Sequence, residues 1–219
     1  MRDWIEGDNI NYDYILRYIR DTLPQSDGLL LEMEEYAEEN SVPISQPESI
    51  RFLEIIIKIA NAKRILEVGS AIGYSAIRMS NANCGNVTTI ELSEKMADIA
   101  EENIKKAGLS DKINLIRGDA KEVLPKIEGE FDLIFVDAAK GQYAEFFKES
   151  RRLLKKGGIM VSDNVLYKGM TATDELLIHR KITLVRRLRS YLEMLKENKE
   201  FSTALIPIGD GVALSFKEI

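Results

Sequence analysis

Between Arg64 and Asp163 the chain follows one alternation: a short apolar run, a break, then a stretch of helical spacing. The apolar runs are RILEVG, NVTTIEL, KINLIRG, FDLIFVD and GIMVSD. The stretches between them are GYSAIRMSNA, SEKMADIAEENIKKAG, DAKEVLPKI and GQYAEFFKESRRLLKKGG. Ser93 reads as the N-cap of the second of these and Gly108 as its C-cap, and the last is expected to end at its double glycine. Strands separated by helices cannot pair as hairpins, so they must form right-handed βαβ units and a parallel sheet. Their centres are apolar throughout, which predicts helices on both faces.

The flanks differ. Residues 8–22 and 27–40 read as helices broken at Pro24, and Pro47 is placed to open a third over 47–60. A long helix is expected over 174–198. FSTALIPI, the turn GDG and VALSFKE then predict an antiparallel hairpin at the edge of a mixed sheet. The expectation is one α/β domain over 1–219, with a helical extension at 1–61 and the core at 62–219.

Composition narrows the chemistry. A single cysteine, Cys84, excludes an internal disulfide framework and a CxxC zinc site, and a single histidine, His179, argues against a His-cluster metal. Any metal would need oxygen donors, which favours Mg²⁺ or a similar hard cation. Cys84 reads as a small loop residue and His179 as a surface residue. There is no signal-peptide pattern and no run of membrane-spanning length, so a cytoplasmic protein is expected. Net charge is −6, yet residues 176–199 hold seven basic and two acidic side chains, whereas 1–50 hold three and twelve. The basic run is either a solvated helix face or a footprint for a phosphate backbone. Arg180, Lys181, Arg186, Arg187 and Arg189 do not share one helical face.

Candidate site residues stand at the carboxyl ends of the strands, where open α/β sheets bind ligands. In LEVGSAIGYS, Gly69 and Gly73 allow a tight turn and close approach of a ligand to the backbone, without GxGxxG or a Walker lysine. Glu91 ends the second strand, where an acid can accept from both ribose hydroxyls, and Asp119 ends the third, where it can meet an adenine edge or simply cap a helix. NAD and S-adenosylmethionine (SAM) both fit the ribose acid; the glycine pattern and Glu67 favour SAM. Asp137 and the Asp163–Asn164 pair end the two following strands, giving a three-oxygen half-shell for one octahedral Mg²⁺. A substrate with two vicinal oxygens could complete it. Lys140 lies one short turn beyond Asp137; a nearby cation disfavours its ammonium form and leaves a base for the substrate hydroxyl.

With these residues, LEVGSAIGYSAIRM, VDAAKGQY, DNVLYKG and PIGDGVALS, the sequence resembles the Mg²⁺-dependent class I O-methyltransferases, the catechol and caffeoyl-CoA group. YAEE..VPI, AIGYSAIRM and DAAKGQY..FF are closest to the bacterial tRNA 5-hydroxyuridine methyltransferases. The resemblance implies the Rossmann-like class I methyltransferase fold, with a mostly parallel seven-stranded sheet. It implies metal ligation by Asp137, Asp163 and Asn164, with Lys140 as general base. It also implies a SAM pocket of Ile44, Ser45, Glu67, Gly69, Ser75, Glu91, Asp119 and Ala120, with Asp137 shared between the two. Ser45 departs from a Met common in the bacterial relatives. The acceptor expected first is 5-hydroxyuridine in a tRNA anticodon loop, whose O5 and O4 are vicinal. The second is a small catechol or hydroxycinnamoyl ester. The third reading, a SAM-binding scaffold without catalysis, conflicts with the intact Asp137, Lys140, Asp163 and Asn164. The apolar N-terminal helices and the resemblance suggest a homodimer, and Trp4 could pack on the domain or on a second subunit.

Overall fold

The computed structural model describes residues 10–219. Trp4 and the first residues of the expected leading helix lie outside them. Three helices come first: α1 (Asp13–Asp21), α2 (Gly28–Asn40) and α3 (Pro47–Ile59). Pro47 opens α3, where a missing N–H costs nothing. The alternating part follows as β1 (Arg64–Val68), α4 (Tyr74–Asn83), β2 (Asn86–Glu91), α5 (Glu94–Lys106), β3 (Ile113–Arg117), α6 (Ala120–Val123), β4 (Phe131–Val136), α7 (Tyr143–Leu153) and β5 (Leu154–Ser162). The chain closes with α8 (Ile182–Glu197), β6 (Phe201–Ile206) and β7 (Val212–Lys217).

The seven strands form one sheet in the order β3-β2-β1-β4-β5-β7-β6. The first five pair in parallel, while β7 runs antiparallel to both β5 and β6. Strand order reverses between β1 and β4, which places a crevice at their carboxyl ends. Alternate side chains feed two cores. Ile65, Leu133 and Phe135 pack with α2, α3, α4 and α5; Leu66, Val68, Ile134 and Val136 pack with α7 and α8. Both faces of the parallel strands are thus covered.

Three local expectations need correcting. The helix after β4 stops at Leu153, before the double glycine. Leu154 is already extended and pairs with Phe131, and the next paired position is Leu133 with Ile159. Lys155–Gly158 are therefore a bulge inside β5, where Gly157 takes a φ of +76°. The stretch 174–198 is helical only from Ile182, preceded by a 3₁₀ turn at His179–Lys181. Thr173 Oγ1 accepts from the Glu175 N–H and Ile178 is extended, so local turns displace the helix. Gly108 (φ +67°) stands one position beyond the α5 C-cap, Ala107. Ser93 does cap α5, accepting from the Met96 N–H at 3.4 Å.

Candidate active site

The loop after β1 is built for close approach. Gly69 has φ +100°, and a Cβ there would overlap the main-chain carbonyl oxygen of Asp137 and stand 2.9 Å from its carbon. Gly73 caps α4 at φ +83°, where a Cβ would stand 3.3 Å from that of Ala100. The N–H groups of Gly69 and Ser70 both donate to the Ile90 carbonyl, at 3.0 and 3.2 Å. Glu91 holds the same loop: its carboxylate accepts from the Ala71 N–H and from the Ser93 N–H, each at 2.8 Å. Each oxygen retains accepting capacity toward a ligand. Asp119 caps α6 through the Lys121 N–H at 2.9 Å, so its capping role is realised, and it also faces the crevice.

Glu67 lies beneath this loop and is fully buried. Ser75 Oγ donates to one of its oxygens, and Thr89 Oγ1 to the other at 2.5 Å. Burial pushes its carboxyl up to about 7, against the pull of those two hydroxyls. Its contacts make it a support for the loop, not a lining residue.

The other end of the crevice carries Asp137, Lys140, Asp163 and Asn164. The Asp137 N–H donates to the Val68 carbonyl at 2.9 Å, and the Asp163 N–H to the Val136 carbonyl at 3.0 Å. Strand pairing thus sets both acids side by side. Lys140 begins a 3₁₀ turn, which returns its Nζ to 3.6 Å from Asp137 Oδ1. Asp163 is buried, and its Oδ1 accepts from the Asn164 N–H at 2.7 Å. Burial first, and then the charge of Asp137, raise its carboxyl to about 8. Asn164 has a φ of +54°, a left-handed conformation that asparagine tolerates better than most residues. Among the described residues no three His, Cys, Asp or Glu side chains form a metal-binding group. The donor set here is two carboxylates and one amide.

A single cavity of about 500 Å³ joins the two ends. Ile44, Ser45, Gly69, Ser75, Glu91, Asp119, Ala120, Asp137, Lys140, Asp163 and Asn164 all line it; of the expected residues Glu67 and Gly73 do not. Other residues line it that were not anticipated, Gln46, Ser70 and Tyr74 among them. Ser70 and Gln46 each bring a buried oxygen without a hydrogen-bond partner, and Tyr74 forms wall. Ser70 was legible in principle, as a hydroxyl directly after the close-approach glycine. Gln46 directly follows Ile44 and Ser45, which the resemblance places in the pocket, but is not itself among the residues it implies.

The basic segment divides. Arg189 is committed to structure: it donates to the carbonyls of Thr171 (3.0 Å) and Met170 (2.9 Å) and pairs with Asp174 at 2.7 Å. Lys181 stacks 5.7 Å over the Tyr167 ring. Arg187 is exposed, and its guanidinium lies 3.3 Å from where a Cβ on Gly141 would stand, beside Lys140.

A parallel sheet ending in an antiparallel hairpin, helices on both faces and one crevice over the strand ends define a Rossmann-like methyltransferase fold. Comparison with known proteins agrees. Residues 26–218 match the model of the O-methyltransferase family. A catechol O-methyltransferase of Niastella koreensis is 36% identical over 166 residues, 72% of this chain and 75% of that protein. A caffeoyl-CoA O-methyltransferase of Populus kitakamiensis is 35% identical over 80% of this chain and 77% of its own. The crystal structure of a Bacillus cereus O-methyltransferase in complex with S-adenosylhomocysteine (SAH) superposes with a TM-score of 0.82 at 28% identity, covering 93% of this chain and 97% of that one. The chain belongs to the O-methyltransferase family and is a SAM-dependent O-methyltransferase. No described helix is long and apolar enough to cross a membrane.

Proposed function

We propose that this enzyme methylates one of two vicinal oxygens on a small flat acceptor of the catechol or caffeoyl type, with a divalent cation such as Mg²⁺ held by Asp137, Asp163 and Asn164. The observation that carries this is the pairing, in one cavity, of the Gly69–Glu91 end with the Asp137–Lys140–Asp163–Asn164 end. The residues fit both groups. Ser70 Oγ is buried at the cavity wall with no partner, which suits a polar ligand atom. Two adjacent carboxylates, one of them buried, repel each other until a cation lies between them, and an all-oxygen set selects a hard ion.

When bound, SAM supplies the methyl group and the cation supplies the Lewis acidity that favours the ionised acceptor hydroxyl. The chain's own part is positioning and proton transfer. Glu91 and the glycine loop hold the donor end. Asp137, Asp163 and Asn164 would hold the cation at the other end of the cavity and position the acceptor oxygens there. Lys140 Nζ, in its neutral form, would take the acceptor hydroxyl's proton, so that methyl transfer from bound SAM would leave an ether, SAH and a protonated lysine. In this reading two copies pair through α1, where Tyr14 and Tyr18 are 64% and 72% exposed. Sedimentation velocity checks that pairing, and a monomer mass would remove it.

The hydroxylated tRNA nucleoside, first on the sequence alone, now stands second, because the relatives are named for catechol and caffeoyl-CoA. Its specific support is Arg187 beside the Lys140 turn. Labelled SAM, with Mg²⁺ or with EDTA, tests both readings against a catechol, caffeoyl-CoA, tRNA carrying 5-hydroxyuridine and matched tRNA lacking that hydroxyl. Cation-dependent label on a small acceptor supports the proposal. Label on the hydroxylated tRNA alone replaces it, and label that survives EDTA overturns the cation.

A further inference from the structure

Tyr143 opens α7 three residues after Lys140, and its ring is fully buried, edge-on to Tyr191 at 5.5 Å. Its hydroxyl donates to the main-chain carbonyl of Asp163 at 2.9 Å and lies 3.4 Å from that of Val136. Those two carbonyls flank the last rung between β4 and β5, where the Asp163 N–H meets Val136. Beyond that rung the strands are free to separate, and Asp137 and Asp163 stand at that point.

The 2.9 Å bond acts on a rigid unit. The carbonyl of Asp163 and the N–H of Asn164 belong to one planar peptide group. Tyr143 holds the oxygen edge of this plane, and its N–H edge donates to Asp163 Oδ1 at 2.7 Å. The rotation of the plane therefore sets both the Asp163 carboxylate and the entry into the left-handed Asn164. We propose that Tyr143 is a positioning residue for the cation site, orienting Asp163 and Asn164 through the peptide plane between them.

This inference rests on the cation reading, so the test begins with the unmodified chain. Mg²⁺ is titrated calorimetrically into the SAH-loaded protein, then into Tyr143→Phe and Tyr191→Phe. Tyr191 is the control: its hydroxyl contacts Ser162 Oγ at 2.7 Å in the same aromatic layer but does not touch the plane. Loss of an outer hydrogen bond that orients a ligand weakens metal binding by about tenfold or more. That loss is expected for Tyr143→Phe, with SAH affinity unchanged within about twofold, and Tyr191→Phe is expected to bind Mg²⁺ normally. If the unmodified chain binds Mg²⁺ and Tyr143→Phe matches it, the positioning role alone is wrong. Equal weakening in both variants means general loosening of the layer and also overturns it. An unmodified chain that binds no Mg²⁺ removes the cation reading and this inference together.

Discussion

Lys140 lies with its Nζ 3.6 Å from Asp137 Oδ1, and the residue lines the cavity. Lys140→Met keeps the bulk and loses the base. Turnover should fall by about 10²–10⁴-fold while SAH affinity is retained, as stopped assays and calorimetry would record. Glu67 yields a different kind of prediction. Its folded value, about 7, lies above its ordinary 4.5. The native state therefore binds more protons than the unfolded chain between those values. Glu67's contribution to stability is full below about pH 4.5, declines as pH rises, and is lost above about pH 7, a change on the order of 3 kcal/mol. Glu67→Gln should flatten that decline, so thermal melts from pH 4 to 8 should converge at the acid end and separate at the alkaline end. Equal slopes in both proteins would contradict it. By resemblance Glu67 is expected as an acid of the SAM pocket, whereas the structure keeps it off the cavity wall. In the structure strand alternation places it with Ile65 on the face toward α4. What the sequence could not show was whether the acid met a ligand or only Ser75 and Thr89.

At the scale of elements, the segment between β5 and α8 is the least regular part near the site. Asn164, Tyr167 and Lys168 all have positive φ. The segment is pinned on one side by Asp210, which accepts from the Lys168 N–H and whose carbonyl accepts from the Leu166 N–H at 3.0 Å. On the other side Arg189 takes two carbonyls and Asp174. Arg189→Ala should release Met170–Asp174 without touching the cofactor end. Faster limited proteolysis there is expected, with an acceptor KM raised by up to about tenfold and SAH affinity unchanged, since hydrogen bonds from a charged group contribute about 1.5–3 kcal/mol. Unchanged proteolysis would show that the pins on the Asp210 side suffice. None of this was legible beforehand. Helical spacing over 174–198 looked continuous, and only tertiary partners reveal that Arg189 is a clamp. The bulge at Lys155–Gly158 was hidden for a similar reason: a double glycine marks a break, but whether it ends a helix or loops out of a strand depends on where Leu154 is buried.

Across the whole molecule the legible part was the alternation itself. Five apolar runs, four intervening helices and a terminal hairpin sufficed for a seven-stranded mixed sheet, because each run is too short and too apolar to sit anywhere but between two layers. The cavity followed from the topology, since only the strand ends next to the reversal offer a crevice. The centre of that sheet carries the stability. Ile134, in β4 between β1 and β5, is wholly buried. Ile134→Ala should destabilise by about 2–5 kcal/mol and lower Tm by roughly 10 °C, with the residual fold still binding SAH at low temperature. Loss of SAH binding in step with that small a change in stability would mean the crevice depends on the core more tightly than the packing suggests.

One contact between loops sets how far this enzyme can vary. The absent side chain of Gly69 leaves room for the carbonyl of Asp137, so the two ends of the cavity meet backbone to backbone at this position. A random library that spared every charged residue would still lose both ends at this position. Selection for methyl transfer should therefore keep glycine at 69 as stringently as it keeps the acid at 137, although that glycine has no side chain to offer either ligand.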